Sequence, residues 1–182
     1  MGRPAPFTDF IYLAYFSFYL FPIALAVAAR VKGPSDYEKF AFATLLTFYV
    51  SYVGYFLFPT TGPRLPHDIE AAVMGGGQLS HLVRSFLRVA EGNHLDAFPS
   101  GHTTVTLVCL AAGWRMLPLW RVPMALWTGA IVFATVYVHV HYVIDVVAGV
   151  GVAAGVLLLL FVLALRRTES EPEVEPESVG TP

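Results

Sequence analysis

Two histidines, an aspartate and an arginine carry most of the chemistry this chain can offer. His102 closes the run Pro99-Ser100-Gly101-His102, and Asp145 follows His141 by one helical turn. Residues at that spacing share a helix face. Asp145 can then accept a hydrogen bond from one ring nitrogen of His141, fixing its tautomer and freeing the other nitrogen to attack. Arg64 offers a planar fork that matches phosphate oxygens. Ser100, after Pro99, stands where a helix N-cap belongs, and the N–H groups of Gly101 and His102 would point out of that helix end as an anion site. Gly101 has no side chain to keep an anion from the backbone. Charge stabilisation of this kind is what phosphoryl transfer requires. Plainer readings exist for each residue. His-x-x-x-Asp also stabilises ordinary helices, and histidines such as His67 and His81 are usually solvated. Two histidines and an aspartate also begin a zinc site, which would need His139 or His94 as a further ligand. Arg64 beside the site opposes a cation, and the reading taken is of no metal and no cofactor.

The elements that must position these residues are membrane spans. The chain has 182 residues, 56% hydrophobic and 13% charged, with mean hydropathy +0.63. Soluble domains carry about 25% charged residues. The apolar residues fall in long runs, which predicts an all-α polytopic transmembrane bundle of about five spans: Phe10 to Ala29, Phe40 to Phe58, Gly101 to Leu117, Val122 to Val138 and Tyr142 to Leu165. About 20 helical residues cross a ~30 Å hydrocarbon layer. His102 and His141 are 39 positions apart, one crossing out and one back, so both return to the same side. Arg64, just after the second span, joins them. Polar groups beside hydrocarbon are costly and mark function by default.

Between the second and third spans, Leu79, Leu82, Val83, Phe86, Leu87 and Ala90 recur at helical spacing with Arg84 and Arg88 between them. This predicts an amphipathic helix, lying on the membrane surface or forming a lid. Gly151-x-x-x-Gly155 predicts close packing of the last span. Residues 1–167 form the membrane domain, and the acidic stretch 168–182 reads as a disordered tail. Net charge is −2, and no basic stripe points to nucleic acid. The single Cys109 lies in an apolar run, which suits packing. The N-terminus reads as a retained span, because no cleavage site follows its apolar run.

The Arg64, Pro-Ser-Gly-His and His-x-x-x-Asp set resembles the type-2 phosphatidic acid phosphatase superfamily across roughly residues 40 to 155. The resemblance implies that His141 is the nucleophile, forming a phosphohistidine. It implies that His102 protonates the departing oxygen and then activates the acceptor. Water as acceptor gives a phosphatase; an alcohol gives a transferase. Two positive residues of the family pattern are absent: Leu57 stands where a Lys is usual, and Ala134-Thr135 where Ser-Arg is usual. Gly62-Pro63-Arg64, with Thr135-Val136-Tyr137 leading to His141-Tyr142, looks more like the inositol phosphorylceramide synthase branch. Those enzymes act on phosphodiesters, which carry less charge and need fewer cations. His139 is a candidate replacement for the lost Arg. Arg84, Arg88, His94 and Asp96 are further candidates for headgroup contact.

The expected activity is hydrolysis of a lipid phosphate ester, with lipid phosphotransfer as the alternative and a non-catalytic membrane protein as the second class. The expected partners are a lipid phosphate and membrane lipids. Arg3, Arg64, Arg84 and Arg88 fall on the catalytic side, and the other seven of the eleven Lys and Arg fall on the opposite side. Positive charge favours the cytoplasm. This predicts an extracytoplasmic site in a plasma membrane, bacterial by impression, and a cytoplasmic C-terminus.

Overall fold

The structure, a computed structural model, describes residues 4–91 and 95–170. Eight α-helices follow one another among the described residues: α1 (Ala5–Ser17), α2 (Phe21–Lys32), α3 (Pro34–Leu57), α4 (His67–Met74), α5 (Gln78–Ala90), α6 (Gly101–Met116), α7 (Arg121–Tyr137) and α8 (Val143–Ser170). Among the described residues the chain is an all-α bundle, with one isolated β-bridge between Thr60 and Asp96.

Among the described residues three helices are long and apolar enough to cross a membrane: α3, α8, and α7 together with the short 3-10 turn before it. The first expected span is broken. α1 and α2 meet at 51° and count as one further crossing only if the pair is a single bent span. Pro22 in the first turn of α2 explains the break. A proline ring collides with the carbonyl four residues back and supplies no N–H, so the helix cannot run on through it. The third expected span, α6, has 16 residues. At 1.5 Å each that is about 24 Å, short of the ~30 Å layer. α6 is the axis of the bundle, packed against α2, α3, α7 and α8, and with α7 it makes the out-and-back path from His102 to His141.

The core is apolar on its outer layers and hydroxyl-rich along α6. Val105, Val108 and Cys109 are buried there together with Thr103, Thr104 and Thr106. Each threonine hydroxyl has a local acceptor. The Thr104 hydroxyl donates to the Ser100 carbonyl at 2.9 Å and that of Thr106 to the His102 carbonyl at 2.6 Å. Buried hydroxyls satisfied in this way avoid the cost of an unpaired polar group in an apolar bundle. Packing of α8 on α6 turns on Gly149. A Cβ there would lie 2.7 Å from the Ser100 carbonyl oxygen. Gly151 and Gly155, the expected packing pair, face open space instead. Trp127 turns inward and donates its indole N–H to the Ser17 hydroxyl at 2.9 Å.

α5 packs on α1 rather than standing apart. The Asp9 carboxylate accepts from the N–H groups of Gly77 and Ser80 at 2.8 and 3.0 Å, and so caps the helix start. Ser80, Val83, Arg84 and Leu87 are buried beneath α5, while Leu82, Phe86 and Val89 are exposed on it. α5 therefore has an apolar outer face and a partly polar inner one. Its C-terminal end delivers residue 91 to the end of the bundle where α6 begins.

Candidate active site

α6 begins as the sequence predicts. The Ser100 hydroxyl accepts from the Thr103 N–H at 3.3 Å and lies 3.1 Å from the Thr103 hydroxyl. Ser100 is fully buried and spent on this cap. What remains for an anion is the helix end itself, with His102 in its first turn. Gly101 faces the Tyr55 hydroxyl so closely that a Cβ would collide with it.

The two histidines meet. His102 Nδ1 lies 3.2 Å from His141 Nε2. His102 is packed under the α1–α2 break, with its ring 4.3 Å from that of Phe18 and 4.9 Å from that of Tyr15. His141 sits in the turn between α7 and α8 and is 2% exposed. Its Nδ1 lies 2.9 Å from the Ala97 carbonyl, which can only accept. The proton is therefore on Nδ1, and Nε2 keeps its lone pair.

This corrects the role expected of Asp145. Its carboxylate is 3.7 Å from His141 Nδ1, too far for a hydrogen bond. It accepts instead from the Tyr142 N–H at 2.7 Å and closes the first turn of α8. The Asp145 carbonyl also accepts from the Ser100 N–H at 3.0 Å, which ties the two helix starts together. The backbone of Ala97, not the carboxylate, fixes the tautomer. Burial above all, then the neighbouring His102 ring, pushes the His141 imidazole down to about 3. His141 is thus neutral across the ordinary pH range.

Arg64 reaches the same cavity. Gly62 lets its loop close against the α7–α8 turn, since a Cβ at 62 would run into the Val140 carbonyl oxygen. The cavity holds 480 Å³ and is lined by Arg64, Asp96, His102 and His141 at its polar end. Phe18 of the turn before α2, and Phe48, Tyr52 and Tyr55 of α3, line the rest.

Sequence reasoning missed Glu91, the C-cap of α5. Its carboxylate accepts from the hydroxyls of Tyr15 at 2.6 Å and Tyr19 at 2.5 Å, and from Arg64 Nη2 at 3.2 Å. It also lies 3.9 Å from His102 Nε2. No local pattern marks it, because its partners lie in α1, in the turn after α1, and beyond α3.

The remaining candidates divide. Asp96 lines the cavity, 4.0 Å from Arg64. Arg84 is buried under α5, donating to the Gly75 carbonyl at 2.6 Å and lying over the Tyr12 ring. Arg84 and Arg88 line a second cavity of 610 Å³, whose wall shares Arg64 and Glu91 with the first. His139 takes a left-handed backbone at φ 59° and lines neither cavity. His94 lies outside the described residues. Among the described residues no three His, Cys, Asp or Glu side chains gather in a way that would hold a metal ion.

No curated protein and no solved structure matches the chain. A family model does: that of the PAP2 superfamily, over residues 4–159. That match covers the broken first span, the loop of Arg64, and both histidines at the helix ends that bring them together. The chain belongs to the PAP2 superfamily, whose members are generally phosphatases.

Proposed function

We propose that the chain is an integral membrane enzyme that cleaves a phosphate ester of a lipid through a phosphohistidine at His141. The observation that carries this is the contact between His102 Nδ1 and His141 Nε2, with His141 Nδ1 on the Ala97 carbonyl. A buried neutral imidazole, oriented by a backbone acceptor, presents its lone pair toward a second imidazole. That is the arrangement of a nucleophile and a proton donor.

The steps follow from it. Arg64 grips two phosphate oxygens, and the start of α6 faces the developing charge. The bound phosphate parts the two rings and lies between them. His141 Nε2 attacks phosphorus as the bond to the lipid oxygen breaks, and His102 gives that oxygen its proton. His102, now unprotonated, takes a proton from the incoming acceptor as the acceptor oxygen attacks phosphorus and His141 leaves. Water returns a phosphate product; an alcohol would accept the group instead. The aromatic wall formed by Phe48, Tyr52 and Tyr55 suits the apolar part of a lipid. One observation favours the transferase reading. Leu57 is exposed at the end of α3 and Thr135 is buried in α7, so neither position supplies a cation to the cavity.

The catalytic end faces away from the cytoplasm in this reading, supported by the excess of Lys and Arg at the other end. The test is a panel of lipid phosphates with purified protein in EDTA, following diacylglycerol and inorganic phosphate together. Turnover that survives EDTA and vanishes in His102→Ala and His141→Ala supports the reading. Equal product from wild type and His141→Ala would sink it.

A further inference from the structure

We propose that Glu91 sets charge specificity at this site, favouring singly charged phosphate diesters over doubly charged monoesters. The inference rests on the phosphoester reading above and adds a residue that reading does not use.

Glu91 is built into the site rather than draped over it. Its side chain is only 9% exposed. Two tyrosine hydroxyls hold Oε1, and the guanidinium of Arg64 holds Oε2. Arg64 is the group that must grip the phosphate, so a phosphate held there lies beside the Glu91 carboxylate. Asp96, 4.0 Å from Arg64, adds a second carboxylate to the same wall. Among the described residues lining the catalytic cavity, Arg64 is the one Lys or Arg. With His141 neutral, the Glu91 and Asp96 carboxylates face the Arg64 guanidinium and the single proton that His102 carries into the reaction. Like charges repel strongly where water is partly excluded, and each additional charge on the ligand adds to the repulsion.

A phosphate monoester gains its second negative charge near pH 6, whereas a diester has no second proton to lose. A diester also carries a headgroup beyond the phosphorus. The second cavity shares Glu91 and Arg64 with the first and is lined further by Glu70, Arg84 and Arg88. It offers a polar space for that headgroup, and Glu91 accepts a hydrogen bond from a headgroup hydroxyl or amine.

The test uses two lipids with identical acyl chains: phosphatidic acid, and its methyl ester, phosphatidylmethanol. They differ in one charge, and both release diacylglycerol on cleavage, which mass spectrometry counts for either. Wild-type protein is expected to show the higher kcat/KM on the methyl ester. Glu91→Gln keeps size and acceptor oxygen, and should shift the ratio roughly tenfold toward phosphatidic acid. Glu91→Ser is the second neutral variant, and Glu91→Asp should retain the wild-type ratio even if slower. Size-exclusion profiles and thermal midpoints show that the variants fold. A wild-type preference for phosphatidic acid overturns the proposal. So does a ratio that stays put in the neutral variants while both rates fall together, the signature of a merely structural carboxylate. Failure of wild type to cleave either lipid overturns the phosphoester reading itself, which is a separate outcome.

Discussion

At His141 a backbone carbonyl does what a carboxylate was expected to do. The Ala97 carbonyl accepts a hydrogen bond from Nδ1 at 2.9 Å, and Asp145 stands off at 3.7 Å while capping α8. Asp145→Asn keeps the cap acceptor and leaves the tautomer intact. It should lower kcat by about tenfold or less, a loss of at most roughly 1.4 kcal/mol of transition-state stabilisation. His141→Ala should remove turnover to the limit of detection. Initial rates on the same lipid separate the two, and equal loss in both variants would restore Asp145 as the residue that orients the ring. The burial of His141 also has a pH consequence. Its folded-state pKa is about 3, against about 6.5 in an unfolded chain. Below ~6.5 the unfolded chain binds a proton that the folded one refuses, so stability is full above that pH and declines as pH falls toward 3. The thermal midpoint in detergent should drop between about pH 7.5 and 5, and drop less in His141→Asn, which cannot take up that proton. His102, His141 and Arg64 were legible because span arithmetic alone returns them to one side. Glu91 was not. It reads as the polar end of a surface helix, and only the folded chain sets it against Tyr15, Tyr19, Arg64 and His102.

Elements position the site by close approach. The Arg64 loop and the α7–α8 turn touch at Gly62 and Val140, with no room for a Cβ between them. Gly62→Val should push the guanidinium off the cavity. The expected result is at least about tenfold lower kcat/KM together with destabilisation of roughly 1–3 kcal/mol from overpacking. Enzyme rates and thermal midpoints test it, and an unaffected kcat/KM would show that the approach is not needed. Hydropathy found the stretches that build these elements but averaged over Pro22, so the break between α1 and α2 went unseen. That break matters, because Tyr15, Phe18 and Tyr19 surround the His102 ring there. Nor did the spacing of small residues show which glycine packs. Gly149 meets Ser100, whereas the Gly151 and Gly155 pair meets nothing. Apolar periodicity did place α5, yet its inner face carries Arg84 as a buried anchor rather than an open contact.

For the whole molecule, the site belongs to one end of an apolar bundle, and the distribution of charge gives that end a side. Arg64, Arg84 and Arg88 lie on it, while Arg30, Lys32, Arg115 and Arg121 lie at helix ends opposite. On the positive-inside rule we propose that the end holding His102 and His141 is extracytoplasmic. Single cysteines in a Cys109→Ser background test this with a membrane-impermeant maleimide. Ser85→Cys, beside the exposed outer face of α5, should label in intact cells. Lys32→Cys should label only after permeabilisation, and the reverse pattern would invert the topology.

His141 Nε2 is the atom proposed to carry the phosphoryl group. Purified protein mixed with a cleavable lipid phosphate, quenched within the first turnovers and kept alkaline, can be digested and mapped by mass spectrometry. A phosphoryl group on the His141 peptide, absent without substrate and absent in His141→Ala, is the predicted result. Turnover with that peptide unmodified throughout, or with the phosphoryl group on another residue, would contradict it.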